Sequence, residues 1–346
     1  MKILFTAEHD ASMIDQIRAL GEVRMAGVAL GGGKLSDEEM IELAAGVDII
    51  IVSYDDVTAA VMDAAPDLKL VACTRATPVN IDVEHAKKRG IPVIYTPGRN
   101  SDSAAEMTIC LMLCCARNVH AAYRAMHNGK FLGPAGGSEL KVKEGLRADV
   151  IWGSGPDSPY AVFKGCDLKN KTLGIIGYGS IGRRVGDIAS AFGMNVLLFD
   201  PYVSEVDVNR PGRTKVDLET LLRQSDFVSC HLKVTPSTRG LMSAERFALM
   251  KPTAYFINTS RAAVVDEAAL IAALREGRIA GAGLDVFEKE PLPADHPFVN
   301  DLADKVVITP HIGGATRDAI TNHTIMLLSD IERYFKGEPM LYTYRY

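Results

Sequence analysis

Residues 172–182 read Thr172-Leu173-Gly174-Ile175-Ile176-Gly177-Tyr178-Gly179-Ser180-Ile181-Gly182. A short apolar run passes straight into three glycines spaced G-x-G-x-x-G, and a helical pattern, Ile181–Phe192, begins within them. The spacing alone is a weak signal, because tight turns produce it by chance. Its place between a strand-like run and a helix-like one is the context that a phosphate-binding turn needs. Gly177 allows the sharp turn, Gly179 lets the backbone approach a pyrophosphate, and Gly182 lets the helix pack closely on the strand. The pyrophosphate then rests on the helix N-terminus, where amide N–H groups and the dipole favour an anion. The next strand-like run, Asn195–Phe199, leads into Asp200. A carboxylate there accepts hydrogen bonds from the adenosine ribose hydroxyls and repels a 2′-phosphate, so NAD is expected rather than NADP. Arg183 and Arg184 lie in the helix, where a solvated face explains them, and no Arg follows Asp200 directly.

Outward from this turn the alternation continues. Strand-like runs recur at Phe227–Cys230, Ala254–Asn258, Gly281–Leu284 and Lys305–Thr309, with helix-like stretches at Leu218–Gln224 and Glu267–Arg275. The N-terminal third behaves alike. Its runs are Lys2–Ala7, Asp48–Val52, Leu68–Thr74 and Pro92–Thr96, separated by Ser12–Leu20, Asp37–Ala45, Thr58–Ala65 and Val83–Arg89. Such alternation predicts βαβ units and parallel sheets. Ser36 and Glu39 have capping-box spacing at the start of the second helix. A helical pattern runs for about 25 residues from Ser103, and a long one spans Ala315–Phe335. Gly133–Gly165, rich in Gly, Pro and Ser, is too long for a simple connector. It carries Trp152, which suits an interface or its own domain equally well.

The chain has 346 residues, 47% hydrophobic and 23% charged, the balance of an ordinary globular protein of about two domains. Lys and Arg number 38 and Asp and Glu 43, a formal net charge of -5. This excludes a nucleic-acid binder working through bulk positive charge. Met1–Glu8 has too short an apolar stretch for a signal peptide, and the run Met107–Ala116 is far below a membrane span. The cysteines Cys73, Cys110, Cys114, Cys115, Cys166 and Cys230 form no C-x-x-C pair. Cys110 and Cys114 share a helix face without companion ligands. Free thiols, no metal site and a reducing, cytoplasmic setting are therefore expected.

In open parallel sheets ligands gather beyond the carboxyl ends of the strands. Three such ends carry chemistry: Thr259-Ser260-Arg261; Asp285 with Glu288 and Glu290; and Pro310-His311-Ile312-Gly313-Gly314. Hydride transfer to or from a carbon needs a proton donor or acceptor for its oxygen, and imidazole suits that near neutral pH. A carboxylate beside the imidazole favours its charged form, and an Arg grips a substrate carboxylate. His231 also ends a strand-like run, so position alone does not separate it from His311. Chemistry alone does not separate Glu288 from Glu290. Asp285 suits either the nicotinamide amide or the capping of its own loop.

Together these residues resemble the D-isomer-specific 2-hydroxyacid dehydrogenases, phosphoglycerate dehydrogenase-like members without a regulatory C-terminal domain. The resemblance is carried by Lys171–Gly182 with Asp200, His231–Gly240, Ile257–Leu270, Gly283–Pro293 and Thr309–Gly314. Pro97-Gly98-Arg99-Asn100 with Ala105-Glu106 adds to it. It implies an α/β fold of two Rossmann-like or flavodoxin-like lobes with parallel sheets and an active site in the interdomain cleft. Residues 1–103 plus 316–346 would form the substrate domain. Residues 104–315 would form the NAD-binding domain, including the 133–165 insertion. The implied catalytic set selects Arg261, Glu290 and His311. Implied cofactor contacts are Gly177, Gly179, Ser180, Ile181, Gly182, Asp200, Thr259, Ser260, Asp285, Gly313 and Gly314. A homodimer paired through the nucleotide domain is also implied.

Some segments depart from the family pattern. The substrate loop often reads G-x-D-N-x-D, whereas this chain has Thr77-Pro78-Val79-Asn80-Ile81-Asp82, and Pro78 has no N–H to offer a carboxylate. Arg75, Ala76, Thr77 and Arg99 become the candidate substrate contacts. For the two arginines an ordinary surface salt bridge is the competing explanation. Val52–Asp56 lacks the Arg of phosphoglycerate-type members, and Asp55 and Asp56 are expected to repel a phosphate. The chain is expected to end after its last helix. The function expected is NAD-dependent hydride transfer between a small anionic D-2-hydroxy acid and its 2-oxo acid, with no nucleic acid or membrane partner. The rivals are an NAD(H)-sensing corepressor-like protein and a dehydrogenase of another small anion, formate or phosphite.

Overall fold

Parallel strands are buried on both faces, so they read as continuous apolar runs. Ile49–Val52 and Leu70–Cys73 are such runs, and every residue in them is buried. The computed structural model describes residues 1–133, 136, 155–208 and 211–345. Among the described residues the strands of each sheet pair in parallel, and one isolated antiparallel bridge joins Ile94 to Thr343. The chain divides into two units, Met1–Ser103 with Ala315–Tyr346, and Ala104–Gly314.

The first unit holds β1 (Lys2–Phe5), β2 (Glu22–Met25), β3 (Ile49–Val52), β4 (Leu70–Cys73) and β5 (Val93–Ile94). Their order is β2-β1-β3-β4-β5, a flavodoxin-like doubly wound sheet. Alternate residues serve opposite faces. Leu4, Ile50, Val52 and Val71 pack on Met40, Val61 and Ala86 from one layer of helices. Ile3, Phe5, Ile49 and Ile51 pack on Ile17, Leu327, Leu328 and Ile331 from the other. The helix Asp37–Ala44 starts with the expected Ser36/Glu39 capping box. The helix Arg317–Phe335 is capped by the Thr316 side chain.

The second unit holds β6 (Thr172–Ile176), β7 (Asn195–Phe199), β8 (Arg213–Lys215), β9 (Phe227–Cys230), β10 (Tyr255–Asn258), β11 (Gly281–Leu284) and β12 (Val306–Ile308). Their order is β12-β11-β10-β9-β6-β7-β8. The direction of winding reverses between β6 and β9, which is where doubly wound sheets open a crevice for ligands. Phe256, Leu270, Phe298 and their neighbours fill one face. Met112, Ile175, Val185 and Ile257 lie in the cluster on the other.

Several expectations change in detail. β2 and β8 form no apolar run, being Glu-Val-Arg-Met and Arg-Thr-Lys, and both lie at sheet edges. Charged edge strands are a common guard against pairing with other chains, and they hide from a hydrophobicity reading. The helical stretch after Ser103 is two helices, Ser101–Ala116 and Val119–His127. They break at Asn118, whose φ of 51° is left-handed. Trp152 and most of the 133–165 stretch lie outside the described residues. Its described end packs back, with the Cys166 N–H donating to the Ala116 carbonyl at 2.8 Å. A Cβ on Gly165 would lie 2.0 Å from that oxygen. No helix among the described residues is long and apolar enough to cross a membrane. No cluster of metal-ligating side chains occurs among them.

Candidate active site

The glycine turn leaves β6 at the switch point. Gly177 has φ 93°, and a Cβ there would lie 2.8 Å from the His231 carbonyl oxygen and 2.9 Å from Leu232 Cδ2. At Gly182 a Cβ would come within 2.2 Å of the Gly177 oxygen. Beside Gly179 there is open space within 4 Å, and the helix Ser180–Ala191 starts there without a side-chain cap. Two glycines thus allow close backbone approach and the third leaves room for a ligand. Asp200 is held at the end of β7 by the N–H groups of Tyr178 and Tyr202, each donating at 2.8 Å. Ile181 is half-buried against the core. An uncapped helix start, an open glycine and a carboxylate at the neighbouring strand end fit a dinucleotide. Sequence reasoning missed the support behind this turn. Buried Tyr178 accepts a bond from Arg213 Nη1 at 2.7 Å, and Arg213 also pairs with Asp187 at 2.6 Å.

Register brings three other strand ends level. Asn258, Leu284 and Ile308 are partners across β10, β11 and β12, so Thr259, Asp285 and Thr309 leave the sheet side by side. Thr259 shares a hydroxyl bond with Thr108 at 2.7 Å. Ser260 donates to Asn258 Oδ1 at 2.8 Å. Exposed Arg261 donates from Nη1 to the Ser260 carbonyl at 2.6 Å.

Asp285 is almost fully buried. Its Oδ1 accepts from the Thr309 hydroxyl at 2.6 Å and the Ile312 N–H at 2.9 Å, and its Oδ2 from the Gly313 N–H at 2.7 Å. Of the two readings left open, the structure shows it capping the 309–313 turn. A Cβ on Gly313 would press on Asp285 Oδ2 at 2.7 Å, so glycine is needed for the clamp. Gly314 follows, half-buried.

That turn presents His311. Its Nδ1 lies 2.7 Å from Glu290 Oε2, and Glu290 Oε1 accepts the Phe287 N–H at 3.0 Å. The carboxylate therefore accepts a hydrogen bond from Nδ1–H and leaves Nε2 for proton exchange. Burial raises the Glu290 carboxyl, but bonds from His311 and Phe287 and the charges of His311 and Arg261 outweigh it and hold it below its ordinary range. Glu288 instead turns its backbone N–H to Glu267. His231 is half-buried and bonded to Ser229 Oγ at 2.9 Å, and desolvation of the imidazole pushes it down to about 4. Geometry thus pairs Glu290 with His311, half-exposed, and leaves Glu288 and His231 outside.

The remaining candidates belong to the first unit. Arg75, Ala76 and Thr77 follow β4, and Arg99 follows β5. Asp55 does not face solvent. It is buried and receives bonds from the Thr6 hydroxyl at 2.5 Å and the Leu35 N–H at 2.8 Å. Asp56 pairs with Lys34 at 2.7 Å. Both acids thus take part in holding the first unit's own loops.

The family model for the D-isomer specific 2-hydroxyacid dehydrogenase NAD binding domain matches residues 109–313. Hydroxypyruvate reductase of Thermotoga maritima is 38% identical over 87% of this chain and 88% of its own length. D-3-phosphoglycerate dehydrogenase of Methanocaldococcus jannaschii is 36% identical over 98% of this chain, which spans 58% of that longer relative. The crystal structure of D-lactate dehydrogenase with NAD+ from Lactobacillus jensenii superimposes over 100% of both chains, with a TM-score of 0.78 at 26% identity. A doubly wound sheet with a glycine turn and an Arg, Glu and His beyond its strand ends defines a nicotinamide-linked oxidoreductase. The chain belongs to the D-isomer-specific 2-hydroxyacid dehydrogenase family and carries its NAD-binding domain.

Proposed function

We propose that this protein moves a hydride between NAD and C2 of a D-2-hydroxy acid, most simply by reducing the matching 2-oxo acid. NAD, when bound, supplies or accepts the hydride. Arg261 binds the substrate carboxylate and polarises the C2 oxygen. His311 exchanges a proton with that oxygen through Nε2, and Glu290 orients and charges His311. Gly177, Gly179, Ser180, Ile181 and Gly182 take the pyrophosphate, and Asp200 takes the ribose hydroxyls. Asp285, Gly313 and Gly314 hold His311 in place beside Thr259 and Ser260. The unit Ala104–Gly314 is assigned to the cofactor and the other unit to the substrate.

The observation that carries this assignment is the 2.7 Å His311–Glu290 pair on a turn clamped by Asp285. The relatives' names, which include reductases of hydroxypyruvate and glyoxylate, support the substrate class. A homodimer through the cofactor unit and a cytoplasmic setting belong to the same proposal. Exposed Val119, Tyr123 and Met126 on one helix support the first. Free cysteines support the second.

The test is a panel of 2-oxo acids with NADH, followed by loss of nicotinamide absorbance. His311→Ala should cut kcat/KM by roughly 10²–10⁴-fold while NADH still binds. Unchanged turnover in that variant contradicts the proton-transfer role. Tight NADH binding with no turnover across the panel favours an NAD(H)-sensing protein instead.

A further inference from the structure

Glu290 reaches His311 from an exposed stretch of chain. Val286 and Phe287 are buried, but Glu288, Lys289 and Glu290 are exposed, so no apolar side chain anchors those three residues. Leu292 rejoins the core after them. A carboxylate that stays 2.7 Å from an imidazole needs its backbone fixed by other means. Two successive amides supply them. The Phe287 N–H donates to Glu290 Oε1 at 3.0 Å, and the Glu288 N–H donates to Glu267 Oε2 at 3.2 Å. The first bond ties the loop to its own side chain. The second ties it to a different element, 21 residues away in the chain.

Glu267 is the first residue of the helix Glu267–Arg275. A carboxylate in a first helical turn ordinarily serves the N-terminus of its own helix. Here the cap is Asp266, which accepts the Ala269 N–H at 3.0 Å, and Glu267 turns outward. Its Oε1 lies 3.1 Å from His296 Nε2. His296 Nδ1 accepts the Phe298 N–H at 3.3 Å, so Nε2 carries the proton and donates to Glu267. The side chains of His296 and Glu267 are only 14% and 18% exposed, which limits competition from water. The His296 ring centre lies 4.6 Å from that of Phe298. Phe298 is buried in the core of this unit, with its ring centre 6.5 Å from that of Phe287. The contacts therefore close a circuit. Phe287 neighbours Phe298, Phe298 packs on His296, His296 holds Glu267, and Glu267 holds the amide that follows Phe287. Among the described residues neither Glu267 nor His296 bonds to Arg261 or His311.

We propose that Glu267 and His296 form a brace that aims Glu290 at His311, which makes both of them positioning residues for the proton transfer. This rests on the reaction proposed above and adds two residues to the machinery of that site. The brace contributes geometry and exchanges no proton. A misplacement of about 1 Å can cost on the order of 100-fold in rate, so a loop held by one amide bond fewer is enough to matter. Burial raises the Glu290 carboxyl, and the bonds from His311 and Phe287, with the charges of His311 and Arg261, more than offset it. A Glu290 that drifts from those groups protonates at higher pH.

The experiment measures kcat, KM, NADH affinity and the pH–rate profile with a 2-oxo acid that wild type turns over. His296→Phe keeps a ring against Phe298 and loses the donor, whereas His296→Gln places an amide donor near the position of Nε2. Glu267→Ala removes both acceptors, and Glu267→Gln keeps one. The brace predicts that Glu267→Ala and His296→Phe lower kcat by about tenfold, leave NADH affinity unchanged and move the acid limb of the profile upward. Glu267→Gln and His296→Gln should recover part of kcat and bring the limb back toward wild type. Glu267→Ala combined with Glu290→Gln should lower kcat no further than Glu290→Gln alone, because the brace acts through Glu290. Where Glu267→Ala fails to fold, His296→Phe carries the same test. Wild-type kcat with an unmoved acid limb in Glu267→Ala and His296→Phe overturns the brace, even where denaturant melts show both variants destabilised, and leaves the reaction class standing. A fully additive loss in the double variant overturns it too. No turnover of any 2-oxo acid by wild type overturns the brace and the reaction together.

Discussion

His311 adopts φ 56°, a region that few residues other than glycine enter. Such strain persists where surrounding contacts over-determine it, and here those contacts converge on its own function. The Thr309 carbonyl takes its N–H at 2.9 Å, Asp285 takes the next two amides, and Glu290 takes its ring. The pairing makes a pH prediction. Glu290 has a folded-state pKa below its unfolded one. Its contribution is therefore complete above the ordinary carboxylate range and is lost as pH falls through the lower folded value. Activity should hold through the range where free glutamate protonates and fall only below it. Glu290→Gln keeps a hydrogen-bond acceptor but no charge. It should lower kcat by about 10- to 100-fold and abolish that acid limb, which a pH–rate profile of both proteins will show.

At the scale of elements, the site depends on the turns at the carboxyl ends of strands. Asp285→Asn replaces an acceptor that holds amides on both oxygens with a group that has one acceptor and one donor. The buried Gly313 N–H or Ile312 N–H is then left without its bond, at a cost of about 1–3 kcal/mol. Denaturant melts should show that loss, and kcat should fall with it. Gly182→Ala places a methyl against the Gly177 oxygen, so NADH binding by fluorescence should weaken at least tenfold. These elements differed in how far the sequence revealed them. The strand, glycine turn and helix at 172–191 were readable because apolar run, glycine spacing and helical period coincide. The pairing of Glu290, rather than Glu288, with His311 was not a matter of periodicity. It came from resemblance, and the geometry shows it as the direction in which the 285–290 loop folds. The Asp285 clamp and the Tyr178–Arg213 support left no local pattern. Each joins residues far apart in the chain, at positions set only by sheet register. The edge strands β2 and β8 were missed because their charge, not their apolarity, suits an edge.

For the whole molecule, a net charge of -5 must coexist with anionic ligands. The cationic features available to them are the start of the helix Ser180–Ala191 and Arg261. Two units with separate cores make a thermal prediction. NADH at 100 times its Kd should stabilise the unit that binds it by about 2.7 kcal/mol. Calorimetry of the full chain should show an upward shift, and Gly182→Ala should reduce it. No shift at saturating NADH would contradict the assignment of the glycine turn.

The central claim is hydride transfer to C2 with the D configuration. The most direct measurement supplies the protein with NADH carrying deuterium at both C4 positions and a 2-oxo acid other than glyoxylate that it turns over, then analyses the product by mass spectrometry and chiral chromatography. The account predicts one deuterium at C2 in the D-2-hydroxy acid, formed by wild type and lost in His311→Ala. An L-hydroxy acid, or a product with no deuterium at C2, would contradict it.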